Sequence, residues 1–163
     1  MKHLENPSLL GAPAHPLCLL ATVLLLLNDH LLKAMFHNAW TGKISDVCWL
    51  IVAPVVLAAL LHRMGVAVRK AQAVALLSVG AFFIALQLWH PLGDALVGWY
   101  GGSHVADPSD LFALPALLLA AACWRRTRPI RPLAFGLSLV ACVATAPPET
   151  SPPDHRYPCD GEP

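Results

Sequence analysis

The chain has 163 residues, of which 56% are hydrophobic and only 13% are charged, and its formal net charge is +1 at pH 7. Soluble globular domains usually contain about 25% charged residues, so the composition argues against an ordinary soluble domain and favours the lipid bilayer as the surroundings of most of the chain. The small net charge gives no reason to expect nucleic-acid binding.

Five apolar stretches predict membrane-spanning helices. A helix rises about 1.5 Å per residue and must cross roughly 30 Å of hydrocarbon, so about twenty residues are needed. The predicted spans are residues 16–36, 44–61, 71–89, 105–124 and 132–146. The fifth is short, and we expect it to be tilted or only partly inserted. The sequence therefore predicts an all-α, polytopic membrane helical bundle with about five spans.

The segments on either side of this bundle differ from it in composition. Residues 1–15 are predicted to form a cytoplasmic N-terminal segment, and residues 16–146 form the transmembrane helical domain. The tail, residues 147–163, combines prolines with acidic residues and lacks apolar runs. Such a segment cannot bury a core, so we predict that it is disordered.

The distribution of basic residues predicts the orientation. Seven of the eleven Lys and Arg residues lie in two short segments, 63–70 and 125–131, whereas nine of the ten Asp and Glu residues lie in the alternate segments. Lys and Arg are enriched in the cytoplasmic loops of membrane proteins. The pattern predicts a multi-pass protein of a bacterial-type plasma (inner) membrane, with its N-terminus in the cytoplasm and its C-terminus outside.

Part of the sequence is similar to another part. When the chain is shifted by 61 residues, Asp46 falls on Asp107 and Pro54 falls on Pro115. This match is consistent with a duplicated two-helix unit. Because the shift spans an even number of membrane crossings, both Asp-bearing helix starts would face the outer side.

Ionisable side chains converge on that outer side, where they are costly unless they pair, face a cavity or carry a function. Asp29 and Lys33 are four residues apart on one helix and therefore share a side. The candidate catalytic residues are Asp29, His30, Asp107 and Asp110, and the candidate ligand-binding residues are Lys33, Lys43, Asp46 and His104.

Three interpretations of this constellation remain open. The first is structural, with helix-capping carboxylates and ion pairs between neighbouring turns. The second is a divalent transition-metal site, because mixed histidine and carboxylate ligands suit zinc, manganese or iron. Its candidate ligands are Asp29, His30, His90, His104, Asp107 and Asp110. The third is acid–base chemistry or ligand binding without a metal. Whether the protein is an enzyme stays undecided.

The stretch Ala85–Leu88, the turn at residues 101–104 and the helix start at Asp110 resemble the second half of VanZ-like membrane proteins. The resemblance covers about a third of the chain. It implies that Gln87, His104 and Asp110 occupy the family's polar positions, which adds Gln87 to the candidate ligand-binding residues. The family's usual turn arginine is His104 here. What the resemblance implies is a cell-envelope protein.

Together these observations predict an integral inner-membrane protein with an outward-facing polar pocket of Asp, His and Lys residues. The leading function is binding or processing of an envelope or lipid-linked ligand. One alternative is a small ion- or proton-coupled transporter that uses the same carboxylates. Another is a non-catalytic membrane assembly subunit, which would expose a stripe of small residues such as Ala116 and Ala120.

Overall fold

The computed structural model of the protein describes residues 9–28, 39–89, 91–93, 95, 108–125 and 132–143. Within these ranges the regular structure is helical and contains no strand, which confirms the predicted all-α fold for this part of the chain. A 3-10 helix at Leu9–Ala14 precedes α1 (Pro16–Leu27), α2 (Ala39–Arg63) and α3 (Val68–Leu88). A second 3-10 helix (Pro108–Ala113), α4 (Ala116–Cys123) and α5 (Pro132–Val143) follow.

Two helices have the length and the apolar composition needed to cross a membrane. They are the segment Lys43–Arg63 of α2 and the whole of α3, each 21 residues long. At about 1.5 Å per residue, each spans about 30 Å, the thickness of the hydrocarbon layer. The other apolar helices, α1, α5 and the segment Pro108–Cys123, are shorter. The fourth predicted span is not one continuous α-helix, since a turn separates its 3-10 helix from α4.

The connection between α2 and α3 is a tight turn that depends on one glycine. Gly65 has a φ of +91°, a conformation that is strained for residues with a Cβ. The Gly65 amide donates to the His62 carbonyl and the Val66 amide donates to the Leu61 carbonyl, both at 3.0 Å. This pair of bonds is the Schellman motif, in which a glycine ends a helix. Leu61 and Val66 also pack in one apolar cluster, so the two helices return side by side.

Helix α2 is the centre of the bundle and packs against each of the six other helical elements named above. Its side chains Leu50, Val52 and Val55 are fully buried. Small residues bring the neighbouring helices close to one another. A Cβ on Gly80 of α3 would lie 3.1 Å from Leu117 Cδ1 of α4, so a larger residue here would require the Leu117 side chain to shift.

The N-terminal 3-10 helix belongs to the same core. Leu9 is buried and packs with Ala58, Ala71 and Ala75, and Trp124 lies against the same cluster. Residues 9–14 of the predicted N-terminal segment are apolar and mostly buried, so this part of the segment packs on the helices.

The two matched stretches of the predicted repeat have different local structures. Pro54 lies inside the continuous helix α2, whereas Pro115 occupies the position that precedes α4. Ala116 and Ala120 are buried in the protein's own core. The other two candidates for the small-residue stripe of an assembly subunit, Ala121 and Ala122, are partly buried.

Candidate functional site

Four side chains from three distant parts of the sequence meet in a polar network at one end of the bundle. Lys43 Nζ donates to Asp110 Oδ1 at 2.7 Å and to Ser109 Oγ at 2.6 Å. Gln87 Nε2 donates to Asp110 Oδ2 at 3.4 Å. We call this group of four residues, Lys43, Gln87, Ser109 and Asp110, the Lys43 network. It joins the beginning of α2, the end of α3 and the second 3-10 helix.

The local sequence explains why Gln87 points into the network. The buried residues of α3 include Ala71, Ala75, Val79, Phe83 and Gln87, which repeat every four positions and so lie along one face of the helix. Gln87 therefore continues the core stripe, and its amide reaches the protein interior, where an unbonded polar group is costly. The carboxylate of Asp110 provides the acceptor.

The turn at Gly65 explains why α2 and α3 contribute to the same site. Because the two helices run antiparallel, the beginning of α2 and the end of α3 lie at one end of the bundle. Asp110 falls in the first turn of the second 3-10 helix, where a carboxylate complements the unbonded amides of a helix start.

The members of the network differ in their contact with solvent. Gln87 is 4% exposed, and the side chains of Asp110 and Lys43 are 15% and 37% exposed. The two carboxylate oxygens of Asp110 accept from different donors, one charged and one neutral. A distance of 2.7 Å is typical of a charge-assisted hydrogen bond. Lys43 is thus the more exposed residue of the ion pair, and the Asp110 carboxylate is largely buried.

A second polar contact lies next to the network. Asn28 Nδ2 donates to Ser45 Oγ at 3.0 Å, and both residues are buried. Ser45 follows Lys43 by two residues, so this bond places the end of α1 at the same end of the bundle. The sequence analysis did not select Asn28 or Ser45. An amide inside an otherwise apolar helix was the available signal, since such a group needs a partner when it is buried.

The structure brings together three of the predicted site residues, Lys43, Gln87 and Asp110. Asp46 lies three residues after Lys43 in α2 and is partly buried. The remaining predicted site residues lie outside the described ranges: Asp29, His30, Lys33, His90, His104 and Asp107.

The metal hypothesis depends mainly on those residues. Of its six candidate ligands, only Asp110 is described. Among the residues that the structure describes, no three His, Cys, Asp or Glu side chains are grouped so that they could hold a metal ion. Asp110 instead contacts a lysine and a glutamine.

A separate pair of hydroxyl groups lies inside the bundle. Thr22 Oγ1 lies 2.8 Å from the Cys18 carbonyl and 3.0 Å from Ser138 Oγ. Because the single Thr22 hydrogen is donated to the Cys18 carbonyl, Ser138 is the donor to Thr22. Thr22, Ser138 and Cys18 are all fully buried. Since both hydroxyls are bonded, this contact joins α1 to α5 and is not a candidate site.

No protein-family model matches the chain, and no curated protein and no solved structure is significantly similar to it.

Proposed function

We propose that the protein is an integral protein of a bacterial-type inner membrane and that the Lys43 network, at the outer end of the bundle, binds the headgroup of an envelope or lipid-linked ligand. The ion pair between Lys43 and Asp110 carries the proposal. It fixes an accessible ammonium group at the end of a helix that is long enough to span a bilayer.

The apolar exterior supports the membrane location. Leu77 of α3 is 73% exposed, and Leu20 of α1 and Val140 of α5 are each more than half exposed. Apolar surface costs about 25 cal/mol per Å² in water, and a broad exposed apolar surface is rare on a soluble monomer. A bilayer removes that cost. To form the other three predicted spans, α1, the segment Pro108–Cys123 and α5 would have to continue as helices into residues outside the described ranges.

The geometry favours binding over proton transfer. Both oxygens of Asp110 accept hydrogen bonds, so this carboxylate holds Lys43 in position and is poorly placed to remove a proton from a substrate. An ammonium group near the membrane surface can contact a phosphate or a sugar hydroxyl, because both are good acceptors. Lys43 would make the contact, with Asp110 and Gln87 as positioning residues.

The VanZ-like resemblance gives further support. It assigns polar roles to Gln87 and Asp110, and these two side chains are in contact. The envelope ligand in our proposal comes from that resemblance, and the role of Lys43 comes from the ion pair.

Transport receives less support than binding. A transporter needs polar groups along the length of the bundle, but the Ser78 hydroxyl near the middle of α3 bonds the Ala75 carbonyl of its own helix at 3.4 Å. An assembly subunit is also less well supported, since the alanines predicted to be exposed are buried.

Native mass spectrometry of the detergent-purified protein tests the proposal. The probe is farnesyl phosphate, a short polyprenyl phosphate, and farnesol is the uncharged comparison. We expect the wild type to retain farnesyl phosphate, Lys43→Arg to retain part of the binding, and Lys43→Gln to lose it. Ser78→Ala, which removes a hydroxyl near the middle of α3 that bonds only its own helix, is the control. Equal retention by Lys43→Gln and the wild type would contradict the proposal.

A further inference from the structure

The end of the bundle opposite the Lys43 network is basic. Arg63 ends α2, two bases lie in the first turn of α3, and another follows α4. We call this group the basic end; its members, all exposed, are Arg63, Arg69, Lys70 and Arg125. Their sequence neighbours Val66, Val68 and Trp124 pack in one apolar cluster. The four charges therefore belong to one surface.

The carboxylates of the described ranges lie elsewhere. In these ranges the acidic residues are Asp46 and Asp110. Asp110 pairs with Lys43 at the far end of α2, and Asp46 lies three residues after Lys43. Within the described part of the chain, no member of the basic end therefore has an ion-pair partner. The surface keeps its positive charge.

The beginning of α3 adds to this positive potential. A helix start carries partial positive charge, and acidic side chains normally offset it. Here the first turn contains Arg69 and Lys70, has no acidic residue, and follows Ala67, which cannot provide a side-chain cap. The two cations are repelled by the partial positive charge of the helix start, and an anionic surface next to them would offset that repulsion.

The apolar residues around the basic end indicate which anionic surface this is. Met64 lies beside Arg63 at the tip of the turn and is 80% exposed. Val74 and Leu77, exposed on α3, begin one turn beyond Lys70. Basic side chains directly bordering exposed apolar ones match the boundary between lipid headgroups and hydrocarbon. A soluble polyanion would leave the apolar border in water.

We propose that the basic end binds the phosphate groups of anionic phospholipids in the cytoplasmic leaflet and holds the turn between α2 and α3 at headgroup depth. This inference rests on the membrane location in the proposed function and is independent of any ligand at the Lys43 network.

The test is a lipid titration of delipidated protein in a neutral detergent, followed by native mass spectrometry. The probes are phosphatidylglycerol, phosphatidylcholine and inorganic phosphate. We expect retention of phosphatidylglycerol alone, weakened by added salt. Each basic residue near an anionic membrane contributes about a fivefold change in affinity, so Arg69→Gln/Lys70→Gln should weaken binding by about 25-fold. Arg69→Lys should bind as the wild type does.

The control is Ser78→Ala, near the middle of α3, where the hydroxyl bonds only the Ala75 carbonyl of its own helix; this variant should leave phosphatidylglycerol binding unchanged. Loss in this control as well as in the basic-end variant would overturn the assignment to the basic end. Equal retention of phosphatidylcholine would overturn the requirement for an anionic lipid, and equal binding of inorganic phosphate would replace the lipid surface with a free-anion site.

Two further measurements keep the test decisive. If Arg69→Gln/Lys70→Gln loses helicity by circular dichroism, Arg63→Gln/Arg125→Gln provides the same comparison away from the helix start. Unchanged phosphatidylglycerol binding in the folded variant would contradict the inference. The part of farnesyl phosphate retention that Lys43→Gln removes and Arg69→Gln/Lys70→Gln leaves unchanged reports on the Lys43 network, so the failure of either proposal can be recognised without the other.

Discussion

The hydroxyl oxygens of Thr22 and Ser138 lie 3.0 Å apart, although the two residues are separated by 116 positions in the chain. Their bond joins α1 to α5 in the interior of the bundle. Neither helix contains Asp, Glu, Lys, Arg or His within its bounds, so this contact is a specific polar link in an otherwise apolar packing interface.

We expect Thr22→Val and Ser138→Ala each to lower the free energy of unfolding by about 1 kcal/mol, the usual net contribution of a buried hydrogen bond. The double variant should lose less than the sum of the two, since both substitutions remove the same bond. Thermal unfolding in detergent, monitored by circular dichroism, measures all three. Strict additivity would mean that the two hydroxyls do not interact.

The Lys43 network should also contribute to stability. Lys43→Gln leaves the Asp110 carboxylate, which is 15% exposed, without its cation, and we expect a loss of about 1–2 kcal/mol, below the value for a fully buried pair because Lys43 is partly exposed. Asp110→Asn instead leaves the Lys43 ammonium without its anion. Because Lys43 is the more exposed residue of the pair, we expect this variant to lose less unfolding free energy than Lys43→Gln.

The exchanged variant Lys43→Asp/Asp110→Lys separates stability from binding. It can restore an ion pair, so we expect it to unfold closer to the wild type than Lys43→Gln does. It moves the ammonium to a more enclosed position, so farnesyl phosphate retention should stay low. Full recovery of retention would show that the position of the cation does not matter.

Gly65→Ala should lower the free energy of unfolding by about 1–2 kcal/mol, because a residue with a Cβ is strained at positive φ. The φ of Gly65 is +91° and a Cβ there meets no atom within 4 Å. The expected loss of unfolding free energy therefore comes from backbone strain and not from a steric clash. Gly65→Asn should cost less, since asparagine tolerates this region better, and an unchanged Gly65→Ala variant would argue against the Schellman turn.

Two glycines in helices offer a matched comparison. Gly80→Val would press on Leu117, with 3.1 Å already between Cβ and Leu117 Cδ1, and we expect a destabilisation of about 1–3 kcal/mol from overpacking. A Cβ on Gly136 meets nothing within 4 Å, so Gly136→Val should cost less than Gly80→Val, since glycine is also a poor helix former. Leu117→Ala should reduce the destabilisation caused by Gly80→Val. A similar loss of unfolding free energy in Gly80→Val and Gly136→Val would contradict the close approach between Gly80 and Leu117.

The orientation can be measured with reporter fusions. A reporter joined after Val66 should show cytoplasmic activity, and one joined after Gly102 should show activity outside, because the basic segments are predicted to stay in the cytoplasm. The reverse result would place the Lys43 network on the cytoplasmic side.

Periodicity and hydrophobicity predicted α2 and α3 well. Residues 44–61 and 71–89 were expected, and the helices are Ala39–Arg63 and Val68–Leu88. The broken fourth segment was less predictable. Pro115 stands after a 3-10 helix whereas Pro54 stands inside α2, so a proline in an apolar segment does not by itself predict where the helix ends.

The candidate site was also predictable only in part, because its contacts join residues from distant parts of the chain. Lys43 and Asp110 are charged residues at the ends of apolar segments, and hydropathy alone marks them. Their pairing depends on the turn at Gly65 and on how α4 packs, which involves residues far apart in the sequence. Asn28 and Ser45 are uncharged and were passed over, although burial makes their hydrogen bond as necessary as the ion pair.

The position of Leu9 constrains how the chain assembles during synthesis. Leu9 packs against Ala58, Ala71 and Ala75 and near Trp124, so its contacts cannot form until most of the polypeptide has left the ribosome. The segment around Leu9 is made before its packing partners and thus reaches its final place only after they have been made. A bulky tag fused close to Leu9 should delay this closing step more than the same tag at the C-terminus, and partly assembled chains would leave the alanine surface of α3 uncovered in the meantime.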